Sequence, residues 1–186
     1  MSIFTDIKRL VSHFRHQGLR KGLLAAYDKF IRWRKGLSPN RFCMLTESLW
    51  LGGQPKEAGF DTLEDYGVTA LINMRSEYDY PEQAELRGLK YLRLPTDDNG
   101  APSIKDLNAG VRFIREELSG GGKVYIHCWE GLGRSATMAA AYYVSEGKTP
   151  LEAWHEIRHV RPFIRPTRVQ LEKLLEYSKM ISGDGD

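Results

Sequence analysis

Three features of this sequence predict an α/β fold: a mostly parallel central sheet flanked by helices and preceded by a basic helical extension. Short β-branched or aromatic runs alternate with helix-length amphipathic ones from about residue 48 to residue 181. Helix-start pairs, Ser or Thr with an acidic residue or Gln three positions later, recur at Ser103/Asp106, Thr149/Glu152 and Thr167/Gln170. A chain of 186 residues, 41% hydrophobic and 11% aromatic, can bury one substantial core and requires no second domain.

The elements follow in order. Ser48-Leu49-Trp50-Leu51 is a short apolar run that stops at Gly52-Gly53-Gln54-Pro55, a strand and its turn. A helix is expected near 57–66, a strand over 68–74, a helix near 82–87 and a strand over 89–94. Ser103 opens a helix over about 104–118. The apolar, β-branched run 123–127 is the next strand, and the Ala- and Met-rich stretch 135–144 the next helix. Pro150 follows Thr149, a position where the first-turn N–H needs no partner, and opens a helix over 150–160. Thr167 opens the last, over 167–181, before a polar tail expected to fray.

Charge divides the chain at about residue 41. Residues 1–41 hold ten Lys or Arg against two Asp, a net of +8; residues 42–186 hold 17 basic against 22 acidic residues, a net of −5. We therefore expect an extension over 1–41 and a single globular domain over 42–182. Ile3, Phe4, Ile7, Leu10, Val11 and Phe14 recur at helical spacing. Leu23, Tyr27, Phe30, Ile31 and Arg34 continue it after a break near Gly18 and Gly22. Residues 1–35 in this pattern suit an anionic membrane surface, with Trp33, Phe and Leu below the headgroups, and equally a clasp packed on the body. The accompanying residues are apolar rather than stacking polar ones, so nucleic acid is not expected as a partner.

No apolar run approaches the roughly 18 residues of a spanning helix, and no secretory core precedes a small-residue cleavage site. Two cysteines, Cys43 and Cys128, make no disulfide framework and suit a reducing compartment, so a cytoplasmic protein, peripheral on a membrane at most, is expected. The Arg-rich amphipathic start also has the composition of an organelle presequence, against which Asp6 and the scarcity of Ser weigh.

The chemistry concentrates in His127-Cys128-Trp129-Glu130-Gly131-Leu132-Gly133-Arg134-Ser135, between a strand and a helix. A thiol at a helix N-terminus, among inward-facing amides and beside an arginine, ionises far more readily than a free one, whose pKa is about 8.5. The planar fork of Arg134 can grip two equatorial phosphoryl oxygens, which lysine could not do. Gly131 and Gly133 let the backbone turn its amides inward, and the Ser135 hydroxyl can stand beside the sulfur. Trp129 through Arg134 would thus bind phosphate, and His127 would orient the loop. No Gly-Lys-Ser/Thr follows, which excludes a Walker-type phosphate loop.

This segment resembles the motif of the cysteine-dependent protein tyrosine and dual-specificity phosphatases: His-Cys, five residues, then Arg followed by Ser or Thr. The resemblance covers about residues 45–180. It implies a nucleophilic Cys128, transition-state binding by Arg134, help from Ser135 as the thiolate leaves, and no metal or organic cofactor. It also implies an aspartate acid on a loop ahead of the motif, here Leu94-Pro95-Thr96-Asp97-Asp98-Asn99-Gly100-Ala101-Pro102. The family's spacing favours Asp98 over Asp97; the composition by itself reads as a polar turn.

A phosphorylated protein side chain is the substrate the resemblance implies first, and Glu130 inside the loop disfavours a polyanion. Phospholipid is the alternative, because Asn73–Tyr80 resembles a Glu-Tyr-Glu-type loop of the phosphatases that act on phosphatidylglycerophosphate. Arg161, Arg165 and Arg168 are candidates to line the substrate mouth. A phosphate-binding or membrane-docking module with little turnover is a reading of another class. His155-Glu156-Ile157-Arg158-His159 fits the zinc-protease pattern H-E-x-x-H, but Ala153, Trp154, Ile157 and Val160 form the apolar stripe and turn the histidines outward.

Overall fold

The computed structural model describes residues 18–183. The apolar positions at 3–14 and the last three residues of the tail lie outside the described residues. Helix α1 (Leu19–Lys35) begins directly after Gly18, and a one-turn 3-10 helix (Asn40–Phe42) follows. Then come β1 (Leu49–Gly53), α2 (Glu57–Asp65), β2 (Ala70–Arg75), α3 (Pro81–Glu85) and β3 (Lys90–Thr96). The chain continues through α4 (Ile104–Ser119), β4 (Val124–Cys128), α5 (Arg134–Ser145), α6 (Pro150–Val160) and α7 (Arg168–Ser182). The α/β order expected beyond residue 48 is the one found, and α7 takes in Ser182 before Gly183 caps it.

The four strands pair in parallel in the order β1-β4-β2-β3. Strand β4 is therefore central, its end flanked by Gly53 of β1 opposite Cys128 and by Asn73 of β2 opposite His127. Parallel strands share one carboxyl edge, so the loops leaving all four meet there, which is where ligands bind in open α/β sheets.

Period-two alternation sorts the strand side chains into two cores. Leu49, Leu51, Ala70, Ile72, Met74, Val124, Ile126 and Cys128 share one with α4, α5, α6 and α7. Trp50, Leu71 and Tyr125 face the other way, onto Phe60 and Leu63 of α2 and Ala84 of α3. Ala136, Met138, Ala139, Ala140 and Ala141 bury α5 on nearly every side, and alanine lets its neighbours approach closely. Ser103 accepts from Asp106 N, while Thr149/Glu152 and Thr167/Gln170 complete reciprocal capping boxes, each cap contributing about 1 kcal/mol.

The described part of the extension packs on the body, but not by its apolar stripe. Helix α1 runs through Gly22 without a break, and its buried face is Gly22, Ala25, Asp28 and Arg32. The apolar positions Leu19, Leu23, Tyr27, Phe30 and Trp33 are instead 43–70% exposed. The cause is a buried cation: Arg161 is fully buried in the body and takes both carboxylate oxygens of Asp28, at 3.2 and 3.0 Å. An unpaired charge there would be costly, and the small side chains of Gly22 and Ala25 let the helix come close enough to pair it.

On α6 the alternation turns out as expected. Ala153, Trp154 and Ile157 are buried, His155 and His159 are exposed, and Glu156 lies 2.9 Å from Lys148 Nζ. No helix among the described residues is long and apolar enough to cross a membrane.

Candidate active site

Cys128 ends β4 and Arg134 begins α5, so the five residues between them form a strand-to-helix loop at the carboxyl edge of the sheet. The sulfur is 3.3 Å from Gly131 N and 3.3 Å from Ser135 Oγ, both donating to it. Burial alone would push this thiol up; the Arg134 guanidinium, the Ser135 hydroxyl and the backbone N–H groups of Ser135 and Gly131 outweigh it and hold it below the ordinary thiol range. Gly131 has φ of 73°, and a Cβ there would stand 2.4 Å from the Gly52 carbonyl carbon. Only glycine closes this turn against β1.

Arg134 is almost wholly buried and fully engaged along one edge. Its Nη1 donates to Glu77 Oε2 at 2.8 Å and Thr96 O at 2.9 Å, and its Nη2 to Glu77 Oε1 at 3.1 Å and Asp98 Oδ1 at 3.2 Å. Glu77 also accepts from Arg75 Nε at 2.9 Å. Burial pushes the Glu77 carboxyl up, but the bonds from Arg134, its own backbone N–H and Arg75 prevail and bring it to about 2. Glu77 belongs to the Asn73–Tyr80 segment singled out by resemblance, but was not itself expected to pair with Arg134. It stands on the loop after β2, and only the adjacency of β2 and β4 brings it to Arg134.

A cavity of about 360 Å³ opens over the sulfur. Of the loop residues expected to bind phosphate, Trp129, Glu130, Leu132, Gly133 and Arg134 line it, while Gly131 turns its N–H to the sulfur. Asp98 stands on the wall beside Arg134; Asp97 is exposed and its carbonyl accepts Gly100 N at 2.9 Å, in a turn where Asn99 takes φ of 63°. One segment thus supplies both the polar turn and a carboxylate facing the cavity. The Glu130 carboxylate lies 3.4 Å from Lys29 Nζ of α1.

His127 is fully buried behind the loop, with Nδ1 3.3 Å from Cys128 O and Nε2 against the Tyr80 hydroxyl. A carbonyl only accepts, so Nδ1 carries the proton and Tyr80 donates to Nε2. Burial holds the imidazole down to about 3, and it is neutral.

A buried, acidified thiol, a buried arginine and a strand-loop-helix cradle together suit attack on phosphorus. Residues 49–180 match the dual specificity phosphatase catalytic domain. The chain belongs to the dual specificity phosphatase family.

Human phosphatidylglycerophosphatase and protein-tyrosine phosphatase 1 is 36% identical to this chain over 128 residues, 64% of each chain. Human dual specificity protein phosphatase 1 is 30% identical over 135 residues, 72% of this chain and 36% of that protein. The match thus spans under two thirds of the length of either relative. The crystal structure of PTPMT1 superposes with a TM-score of 0.71 at 32% identity, covering 76% of this chain and 96% of that one, and its complex with PI(5)P also gives 0.71. Human DUSP28, 21% identical, shares the fold with a TM-score of 0.69 over 77% of this chain and 99% of that one.

One sequence expectation needs correction. Of the three arginines expected at the mouth, only Arg165 lines the cavity. Arg161 is buried behind the loop, drawn there by Asp28 and by loop carbonyls, and Arg168 is 91% exposed and paired with Glu172 one helical turn on. Cys43 is a packed thiol in the core on the opposite face of the sheet from Cys128, pushed up to about 12 by burial.

Proposed function

We propose that this chain hydrolyses phosphate monoesters in two steps through a phosphocysteine at Cys128. In the first, the Cys128 thiolate attacks phosphorus, the bond from phosphorus to the ester oxygen breaks, and Asp98 as a carboxylic acid gives its proton to the leaving oxygen. In the second, water attacks the phosphocysteine, the Asp98 carboxylate takes a proton from that water, and the sulfur leaves as thiolate, aided by the Ser135 hydroxyl. Arg134 and the amides of Trp129 to Gly133 hold the three equatorial oxygens as charge spreads over them. The observation that carries this reading is the sulfur held by Gly131 N and Ser135 Oγ at the floor of a cavity whose wall bears both Arg134 and Asp98.

The family resemblance points first to phosphorylated protein side chains, and two observations favour a phospholipid. Glu130, whose charge would repel a polyanion, is offset by Lys29. Helix α1 also presents Leu19, Leu23, Tyr27, Phe30 and Trp33 on its outer face among Arg20, Lys21, Arg34 and Lys35, a pattern suited to an anionic surface.

The test compares turnover of phosphotyrosine and phosphoserine peptides with that of phosphatidylglycerophosphate in anionic vesicles, with EDTA throughout. Faster turnover on vesicles, lost in Leu23→Gln/Phe30→Gln/Trp33→Gln to a greater degree than turnover of p-nitrophenyl phosphate, supports the lipid. Preference for peptides, indifferent to those changes, assigns the enzyme to protein substrates. No turnover of any ester would leave a binding module.

A further inference from the structure

Every carbonyl of the phosphate loop is held from outside. Trp129 O accepts from Gln54 N at 3.1 Å and Arg32 Nη1 at 3.0 Å, Glu130 O from Arg161 Nη2 at 2.7 Å, and Gly131 O from Arg161 Nε at 2.8 Å. Leu132 O accepts from Arg165 N at 2.8 Å and Gly133 O from Thr137 N at 2.8 Å. A peptide unit is planar, so a carbonyl pinned outward turns the next N–H inward. The bond from Arg161 to Glu130 O therefore orients the Gly131 N–H that lies 3.3 Å from the Cys128 sulfur.

Arg161 is itself positioned from α1. Its Nε donates once, its Nη1 to Asp28 Oδ1 at 3.2 Å and Phe42 O at 3.0 Å, and its Nη2 to Asp28 Oδ2 at 3.0 Å and Glu130 O. All five N–H donors of a fully buried guanidinium are thereby used, and Asp28 supplies its opposite charge. One turn further along α1, Arg32 reaches both Trp129 O and Gln54 O. A Cβ at Gly53 would stand 2.8 Å from the Arg32 guanidinium carbon, so β1 leaves a slot for this side chain. Helix α1 lies wholly before the catalytic-domain match, which begins at residue 49.

We propose that Asp28 and Arg32 are positioning residues for phosphoryl transfer. Through Arg161 and directly, they set the peptide planes of Trp129, Glu130 and Gly131, which makes α1 part of the catalytic machinery. The inference rests on Cys128 as nucleophile. Turnover that survives Cys128→Ser breaks that reading; Cys128-dependent turnover that is indifferent to Asp28 and Arg32 breaks only this one.

The experiment uses the full chain and the variants Asp28→Asn and Arg32→Met, with folding checked by circular dichroism. Three quantities are read at a temperature where each is folded: kcat on p-nitrophenyl phosphate, inhibition by orthovanadate, and the pH midpoint of iodoacetamide alkylation at Cys128. Loss of loop order is expected to lower kcat roughly 10- to 100-fold and to weaken vanadate inhibition in parallel. For Asp28→Asn the alkylation midpoint carries the sign. Removing an anion through space would lower it, whereas turning amides away from the sulfur raises it, and a rise is expected.

Folded Asp28→Asn with kcat near wild type and a midpoint unchanged or lowered overturns the proposal. Should Asp28→Asn fail to fold, Arg32→Met decides: a fall in kcat with weaker vanadate inhibition supports positioning, and wild-type values overturn it. Failure of both to fold overturns it in favour of a purely architectural helix.

Discussion

Glu77 and Arg134 form a two-pronged pair in which each Nη meets one carboxylate oxygen, at 2.8 and 3.1 Å, beside the cavity over the Cys128 sulfur. The same Nη2 also meets Asp98. Arg134 therefore has its plane fixed by Glu77 before phosphoryl oxygens reach it, and a planar fork aimed in advance loses little entropy on binding the transition state.

Glu77→Gln keeps the shape and removes the charge that orients Arg134. A charge-assisted hydrogen bond contributes about 1.5–3 kcal/mol, so kcat/KM should fall roughly 10- to 100-fold. Steady-state kinetics on p-nitrophenyl phosphate checks this, and an unchanged kcat/KM would show that the cradle alone aims the arginine.

Ser135→Ala removes the hydroxyl that donates to the sulfur and leaves the backbone donors in place. The alkylation midpoint of Cys128 should move to higher pH, and the breakdown of the phosphocysteine should slow more than its formation. Pre-steady-state kinetics would then show a larger initial burst relative to the steady rate.

Asp98→Ala should slow esters with poor leaving groups far more than p-nitrophenyl phosphate, whose leaving group scarcely needs an acid. Asp97→Ala should leave that ratio alone, because Asp97 contributes its carbonyl to the turn and is absent from the cavity wall. A leaving-group effect in Asp97→Ala alone would move the acid by one residue.

His127 is held down to about 3 from an ordinary 6.5, chiefly by burial. Between those values the unfolded chain binds the proton more readily than the folded one. The stability that neutral His127 contributes is therefore present above pH 6.5 and lost as the pH falls towards 3. Glu77, brought from 4.5 to about 2, adds a slope of the same sign at lower pH. Thermal unfolding of wild type and His127→Asn across this range should show a gap that is widest near neutral pH and shrinks in acid; a constant gap would contradict the assignment.

The sequence carried the parts of the site that are local along the chain. Cys128, Arg134 and Ser135 lie within eight residues, and their strand and helix are legible from periodicity and composition. The helix starts at Ser103, Thr149 and Thr167 were readable for the same reason, since a cap involves only its own first turn. Glu77 was legible only as part of the Asn73–Tyr80 segment, not as the partner of Arg134. It stands 57 residues before Arg134, and its relevance comes from the order in which the strands pair.

Helix α1 shows the limit of the hydrophobic pattern. Its apolar stripe was correctly placed on one face, but the face that packs is the one bearing Asp28 and Arg32, because the body offers a buried arginine and outward carbonyls. Periodicity measures where apolar groups lie and is blind to a polar demand made by residues 97 to 133 positions away.

The most direct test of the central claim is rapid acid quenching of enzyme turning over a phosphate monoester, followed by mass spectrometry of the peptide containing residues 123–134. A phosphoryl group on Cys128, appearing at the rate of the first step and missing from Cys128→Ser, is the predicted result. Turnover with Cys128 unmodified at every quench time, or turnover retained by Cys128→Ser, would contradict the account.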